Sequence, residues 1–149
     1  MPRIEWILVA SATHARLLQR EPGLPLVLIA TFSHPEGRLK ASELGDDRAG
    51  HERADRRGQG GVALEPRLDA HRKEHQRFAR ELAEHLEAGA RSQAYRALVV
   101  FAGKPFLGEL RDALGDGARR LLKASLPVDL SQVSALELDQ RVRDELASA

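Results

Sequence analysis

The chain has 149 residues, enough for one domain that buries a real core. Its 23 Lys and Arg offset 22 Asp and Glu to a formal net charge of +1, so whole-chain charge selects neither nucleic acid nor a membrane surface as partner. Arginine supplies 19 of the 23 basic residues, a bias that genome composition explains more simply than phosphate binding. Cysteine is absent, which excludes disulfides and thiolate chemistry. No apolar run approaches the roughly 20 residues that span a bilayer.

Ile4 to Ala10 is apolar and of strand length. It imitates a signal peptide after Arg3, but it is short, carries Glu5 and runs directly into further strand-like sequence, so a cytoplasmic protein is expected. Ser11, Ala12 and Thr13 form a turn into a second strand, His14 to Arg20. Pro22-Gly23 breaks the chain before a third, Pro25 to Phe32. Connections this short predict an antiparallel meander. Ser33, Pro35 and Glu36 read as a helix start, with Ser33 as cap and the helix running to about Leu44.

Residues 45 to 64 have no helical or strand period and almost no large apolar side chains, which predicts a flexible loop. A long helix is expected from Pro66 to about Ala88, stopped by Gly89, with Leu68, Phe78, Leu82 and Leu86 as its apolar stripe. Tyr95 to Ala102 is a buried strand, Pro105 to Leu114 a helix, and Arg119 to Leu126 a strand. That β-α-β order requires a parallel pair with a right-handed crossover. Ser134 and Glu137 form a capping box for the last helix, with Val133 and Leu138 as its hydrophobic staple.

The expected architecture is an α/β, ribonuclease H-like sandwich in one domain, residues 1–149. Its mixed five-stranded sheet has three antiparallel and two parallel strands, with helices on both faces. The third strand falls at the sheet edge yet is apolar throughout, so it is either covered by a helix or used in a homodimer.

The chemistry on offer is concentrated in the loop. Arg53, Arg56 and Arg57 can pair with phosphate, and Gly58, Gly60 and Gly61 around Gln59 let a backbone approach closely. The alternative is a solvated linker kept supple by its glycines. Between Arg56 and Arg77, six basic residues face three acids, so positive character gathers where the loop meets the long helix. His71, Glu74 and His75 match the H-x-x-E-H pattern of some zinc proteases. Both histidines lie on the apolar stripe, so a half-buried, hydrogen-bonded pair is expected instead of a metal site. Carboxylates for a two-metal nuclease are missing from the ends of the first and fourth strands. Gly103-Lys104-Pro105 lacks the repeated glycines of a phosphate loop, Arg119 and Arg120 read as solvated charges, and Trp6 reads as core. No cofactor is implied.

The segments WILVASATHARLL (Trp6 to Leu18), HPEGRLKASEL (His34 to Leu44), HQRFARELAEHL (His75 to Leu86), LVVFAGKPFLGELRDAL (Leu98 to Leu114) and LPVDLSQVSALEL carry a resemblance. The chain resembles the bacterial family named "protein required for attachment to host cells", over essentially its whole length. That family in turn is similar to the central domain of archaeo-eukaryotic peptide-chain release factors, which implies a ribonuclease H-like fold and a ribosome or tRNA partner. In those factors a Gly-Gly-Gln loop before the long helix helps water attack the peptidyl-tRNA ester. Here the corresponding loop reads Gly58-Gln59-Gly60-Gly61, in a different order. The resemblance therefore implies a binding module without full release activity. If weak ester hydrolysis is retained, Gln59 would orient water and His51 is the loop's candidate base. The family name implies instead an indirect, regulatory part in attachment.

Overall fold

The computed structural model of the protein describes residues 3–34 and 60–149, and among these the side chains of 60–69 are left aside. Five strands form one sheet: β1 (Glu5–Ala10), β2 (His14–Arg20), β3 (Val27–Ser33), β4 (Ala97–Ala102) and β5 (Leu122–Leu126). The described helices are α1 (Gly60–Arg91), α2 (Phe106–Ala113), α3 (Asp116–Leu121) and α4 (Ala135–Ser148). The strand order is β3-β2-β1-β4-β5. β1, β2 and β3 pair antiparallel, while β4 runs parallel to β1 and β5 parallel to β4. This is the mixed sheet that the order of strands in the sequence predicts.

β1 lies at the centre and is buried at every position, which explains why its sequence is apolar on both faces. Successive side chains point to opposite faces, so Trp6, Leu8 and Ala10 join Leu98, Val100 and Ala102 on one side. There they meet Phe78, Leu82 and Leu86 of α1, Leu110 of α2 and Ala118 of α3. Ile7, Val9, Val99 and Phe101 face the other side, against Leu130 and against Leu138 and Val142 of α4. Helices thus cover both faces. α4 starts where its cap predicts, with the Ser134 hydroxyl accepting from the Glu137 N–H at 3.3 Å.

Three expectations are corrected. α1 starts at Gly60, not Pro66, so Gly60 to Leu64 belong to a helix and not to the loop. Ala63, Leu64 and Glu65 favour helix, and a proline deprives only one carbonyl of its helical partner. The same helix ends at Arg91, past Gly89, and the left-handed residue that turns the chain is Gln93, at φ 60°. Ser33 is the last residue of β3, and the helix expected after it up to Leu44 lies, with its cap, outside the described residues. Residues 119–126 are not one strand: α3 runs through Leu121 and passes directly into β5. α3 forms because the Glu87 carboxylate on α1 accepts from the backbone N–H groups of Ala118 at 2.9 Å and Gly117 at 3.2 Å. A partner 31 residues away leaves no local trace in the sequence.

Gly89 is glycine for room, not for its dihedral angles. A Cβ there would lie 2.6 Å from the Trp6 ring, which stacks on Tyr95 at 4.5 Å. Gly89→Ala should therefore overpack the core and cost about 1–3 kcal/mol, read as a lower urea midpoint. Gly108, inside α2 with nothing within 4 Å of an added Cβ, provides the contrast. Gly108→Ala should raise stability by about 0.5–1 kcal/mol. Equal effects at the two positions would refute the packing account.

Candidate functional site

In open α/β sheets, ligands bind beyond the carboxyl ends of the parallel strands. Here that edge carries the ends of β1 and β4, the end of β3 and the start of β2. His34 follows β3 directly, its N–H donating to the Thr13 carbonyl at 2.7 Å. Its side chain turns inward, stacks on Phe78 at 5.3 Å and is buried. Nε2 of His34 lies 2.9 Å from Oε1 of Glu74, also buried, on α1. An ionised carboxylate only accepts, so His34 donates from Nε2. Arg77 donates to both Glu74 oxygens, at 3.0 and 3.3 Å. Nδ1 of His34 points toward Glu81 at 4.0 Å.

This His34–Glu74 pair joins the last described residue before segment 35–59 to the helix that follows that segment. It pins the two stems of the candidate loop to each other. Chemically, a histidine oriented by a carboxylate is two-thirds of a nucleophile-activating triad. Among the described residues, however, no hydroxyl hydrogen-bonds to His34. The described geometry is that of a clasp.

The residues singled out from the sequence fare differently. Arg53, Arg56, Arg57, Gly58, Gln59 and His51 lie outside the described residues. Gly60 and Gly61 form the start of α1, whose first turn carries no acid. His71 and His75 do face each other, with ring centroids 6.4 Å apart. Both are half-buried, as expected, but Nε2 of His71 has no hydrogen-bond partner among the described residues. Among the described residues no group of three or more His, Cys, Asp or Glu could hold a metal ion. Glu74, the acid of the H-x-x-E-H pattern, is engaged by His34 and Arg77 and so is not poised as a base. Arg119 and Arg120 are exposed, as expected, but they lie in α3 and not at a strand start, and Arg119 also donates to the carbonyls of Arg111 and Leu114 at the end of α2, at 2.9 and 3.0 Å. Trp6 is core, as expected.

Sequence reasoning missed the clasp. Both halves were visible, His34 in HPEG and Glu74 in HRKEH, but they are 40 residues apart and no periodicity links them.

Burial holds His75 below its ordinary value of 6.5, and the neighbouring His71 and His34 push the same way, against the opposite pull of Glu109 and Glu74. Between that lowered value and 6.5 the unfolded chain binds more protons than the folded one. Stability is thus fully present above 6.5 and falls as pH drops through the window below it. Thermal melts over roughly pH 5 to 8 should show this slope, and His75→Asn should flatten it. His34→Ala removes a buried partner from Glu74 and should cost about 1–3 kcal/mol in chemical denaturation. A melt unchanged by that substitution would make the clasp incidental.

Among the described residues no helix is long and apolar enough to cross a membrane. A family profile described as "Protein required for attachment to host cells" matches residues 6–142. No curated protein matches the chain at a significant level.

Proposed function

The chain belongs to the family of proteins required for attachment to host cells, and from that premise we propose that it is a binding module for a phosphate-rich RNA partner, the ribosome or tRNA. The observation that carries this reading is the start of α1 at Gly60, with no acid in the first turn. The first N–H groups of a helix have no intrahelical partner and carry partial positive charge, which favours anions. In sequence, Arg56, Arg57, Gly58 and Gln59 immediately precede that turn, and Arg53 stands three residues before them. Arginine with an unencumbered glycine backbone suits phosphate contact. The likeness of Gly58 to Gly61 to the release-factor loop supports the same partner class, and its altered order argues against full release activity.

The family description favours a second reading, a regulatory or interaction factor whose part in attachment is indirect. Deletion of the gene separates the two: an attachment defect without any change in ribosome association would support the regulatory role.

Co-sedimentation with ribosomes and binding to tRNA should both be strong at low salt and weaken as salt rises. The Arg56→Ala, Arg57→Ala double variant should weaken binding and reduce the salt slope by about one per arginine, with an unchanged melting temperature. Protein that neither co-sediments nor binds tRNA at low salt would sink the proposal. A melting temperature lowered by the double substitution would instead mark the arginines as structural. Peptidyl-tRNA hydrolysis, if any is measured, should fall with Gln59→Ala.

A further inference from the structure

The opposite edge of the sheet carries its own cavity. Between the end of α1, α3 and the entries to β1 and β4 lies a cleft of 650 Å³. Its floor is small and apolar, from Ile4, Ala90, Ala94 and Leu121, and its rim holds Arg91, Arg96 and Arg120. Arg96 also lines an adjoining 350 Å³ hollow with Arg3, so the positive rim continues past Ile4.

The charges on this rim are poorly compensated. Arg91 shares Glu87 at 3.5 Å, and that carboxylate is already tied to the N–H groups of Ala118 and Gly117. Room for it is made by Gly115 and Gly117, where an added Cβ would lie 2.7 and 2.8 Å from Glu87 oxygens. Glu5, the next acid along the edge, is held by Arg20 and by Lys123. Arg3, Arg96 and Arg120 have no carboxylate partner among the described residues. The turn that shapes the cleft is also costly: Gln93 sits at φ 60°, where glycine is usual at a helix end. Gln93 itself lines the cleft. Non-glycine residues held in this region are enriched at ligand sites.

We propose that this cleft binds a small phosphorylated ligand of the nucleotide class, with phosphate on Arg96 and Arg120 and the nucleoside over the apolar floor. The volume falls within the roughly 300–1,000 Å³ of small-molecule sites, and such sites combine apolar walls with a few convergent polar groups. Guanidinium groups match phosphate in two-pronged fashion and also stack on planar rings. Bare phosphate would leave the floor unused, and an uncharged nucleoside would leave the arginines unused. The wall behind the ligand is rigid: Tyr95 stacks on Trp6 and donates from its hydroxyl to the Leu86 carbonyl at 2.7 Å. The site lies at the far end of α1 from Gly60, so it does not rest on the proposed RNA contact.

Isothermal titration with ATP, inorganic pyrophosphate and adenosine tests this on the full chain. ATP should bind saturably, more weakly as salt rises, and more tightly than either pyrophosphate or adenosine. The Arg96→Gln, Arg120→Gln double variant should lose at least roughly tenfold in ATP affinity. The Arg141→Gln variant, an exposed arginine of α4 that does not line the cleft, should bind ATP unchanged, which separates this site from general positive charge. Should the first double variant lose its fold, the single Arg120→Glu change at an exposed side chain carries the test, and ATP affinity must fall with it. Pyrophosphate binding as tightly as ATP would overturn the nucleotide class, and adenosine doing so would overturn the role of the arginines. ATP affinity indifferent to Arg96 and Arg120, or no saturable binding up to about millimolar ATP, would overturn the site itself.

Discussion

The long helix α1 has to be held against the sheet at two separated places, and the rest of the structure depends on both. Near its end, Gly89 leaves room for the Trp6 ring, and Tyr95 closes the contact by stacking on Trp6 and bonding to the Leu86 carbonyl. Burial pushes the Tyr95 hydroxyl up to about 12, so it stays a neutral donor. Nearer its start, Glu74 takes a hydrogen bond from His34. Between these points Phe78, Leu82 and Leu86 bury fully, each contributing on the order of 1.5–3 kcal/mol. Apolar burial supplies most of the attraction, while the glycine at one end and the buried polar pair at the other set the register.

Those two anchor points give the sheet two chemically different edges. At the carboxyl edge His34, Glu74 and Arg77 satisfy one another, and the clasp fixes both stems of the segment between His34 and Gly60. At the amino edge the charges are left over. Glu87 spends its carboxylate on the start of α3, where hydrogen bonds from Ala118 above all hold it below the usual carboxylate range. It is then a weak counter-ion for the surrounding arginines. The same residue that builds α3 therefore leaves the cleft beside it positive.

The third strand sits awkwardly in this scheme. Val27, Leu28 and Ile29 are exposed on an edge strand, where unpaired backbone invites association. Two features blunt that edge: Pro25 stands just before the strand, and the pairing shifts register between Leu17 and Leu18, a bulge that bends and twists the outer pair.

Much of the fold was legible in the sequence because it rests on local period. β1 and β4 read as buried strands from continuous apolar runs, the short turns dictated the meander, and Ser134 with Glu137 announced α4. The order of strands followed from connection lengths and crossover handedness. What could not be read depended on contacts between distant residues. Gly89 looked like a helix stop, and only the position of Trp6 shows that it makes space. Arg119 to Leu121 looked like strand because the carboxylate that organises α3 comes from another helix. His34 and Glu74 each sat in a recognisable motif, yet their pairing exists only once β3 and α1 are packed. Sequence by itself determined which segments must be buried and which way their faces point, since periodicity is a property of the chain. Tertiary structure alone decided which polar groups meet, because that requires two elements, remote in sequence, to be brought within hydrogen-bonding distance.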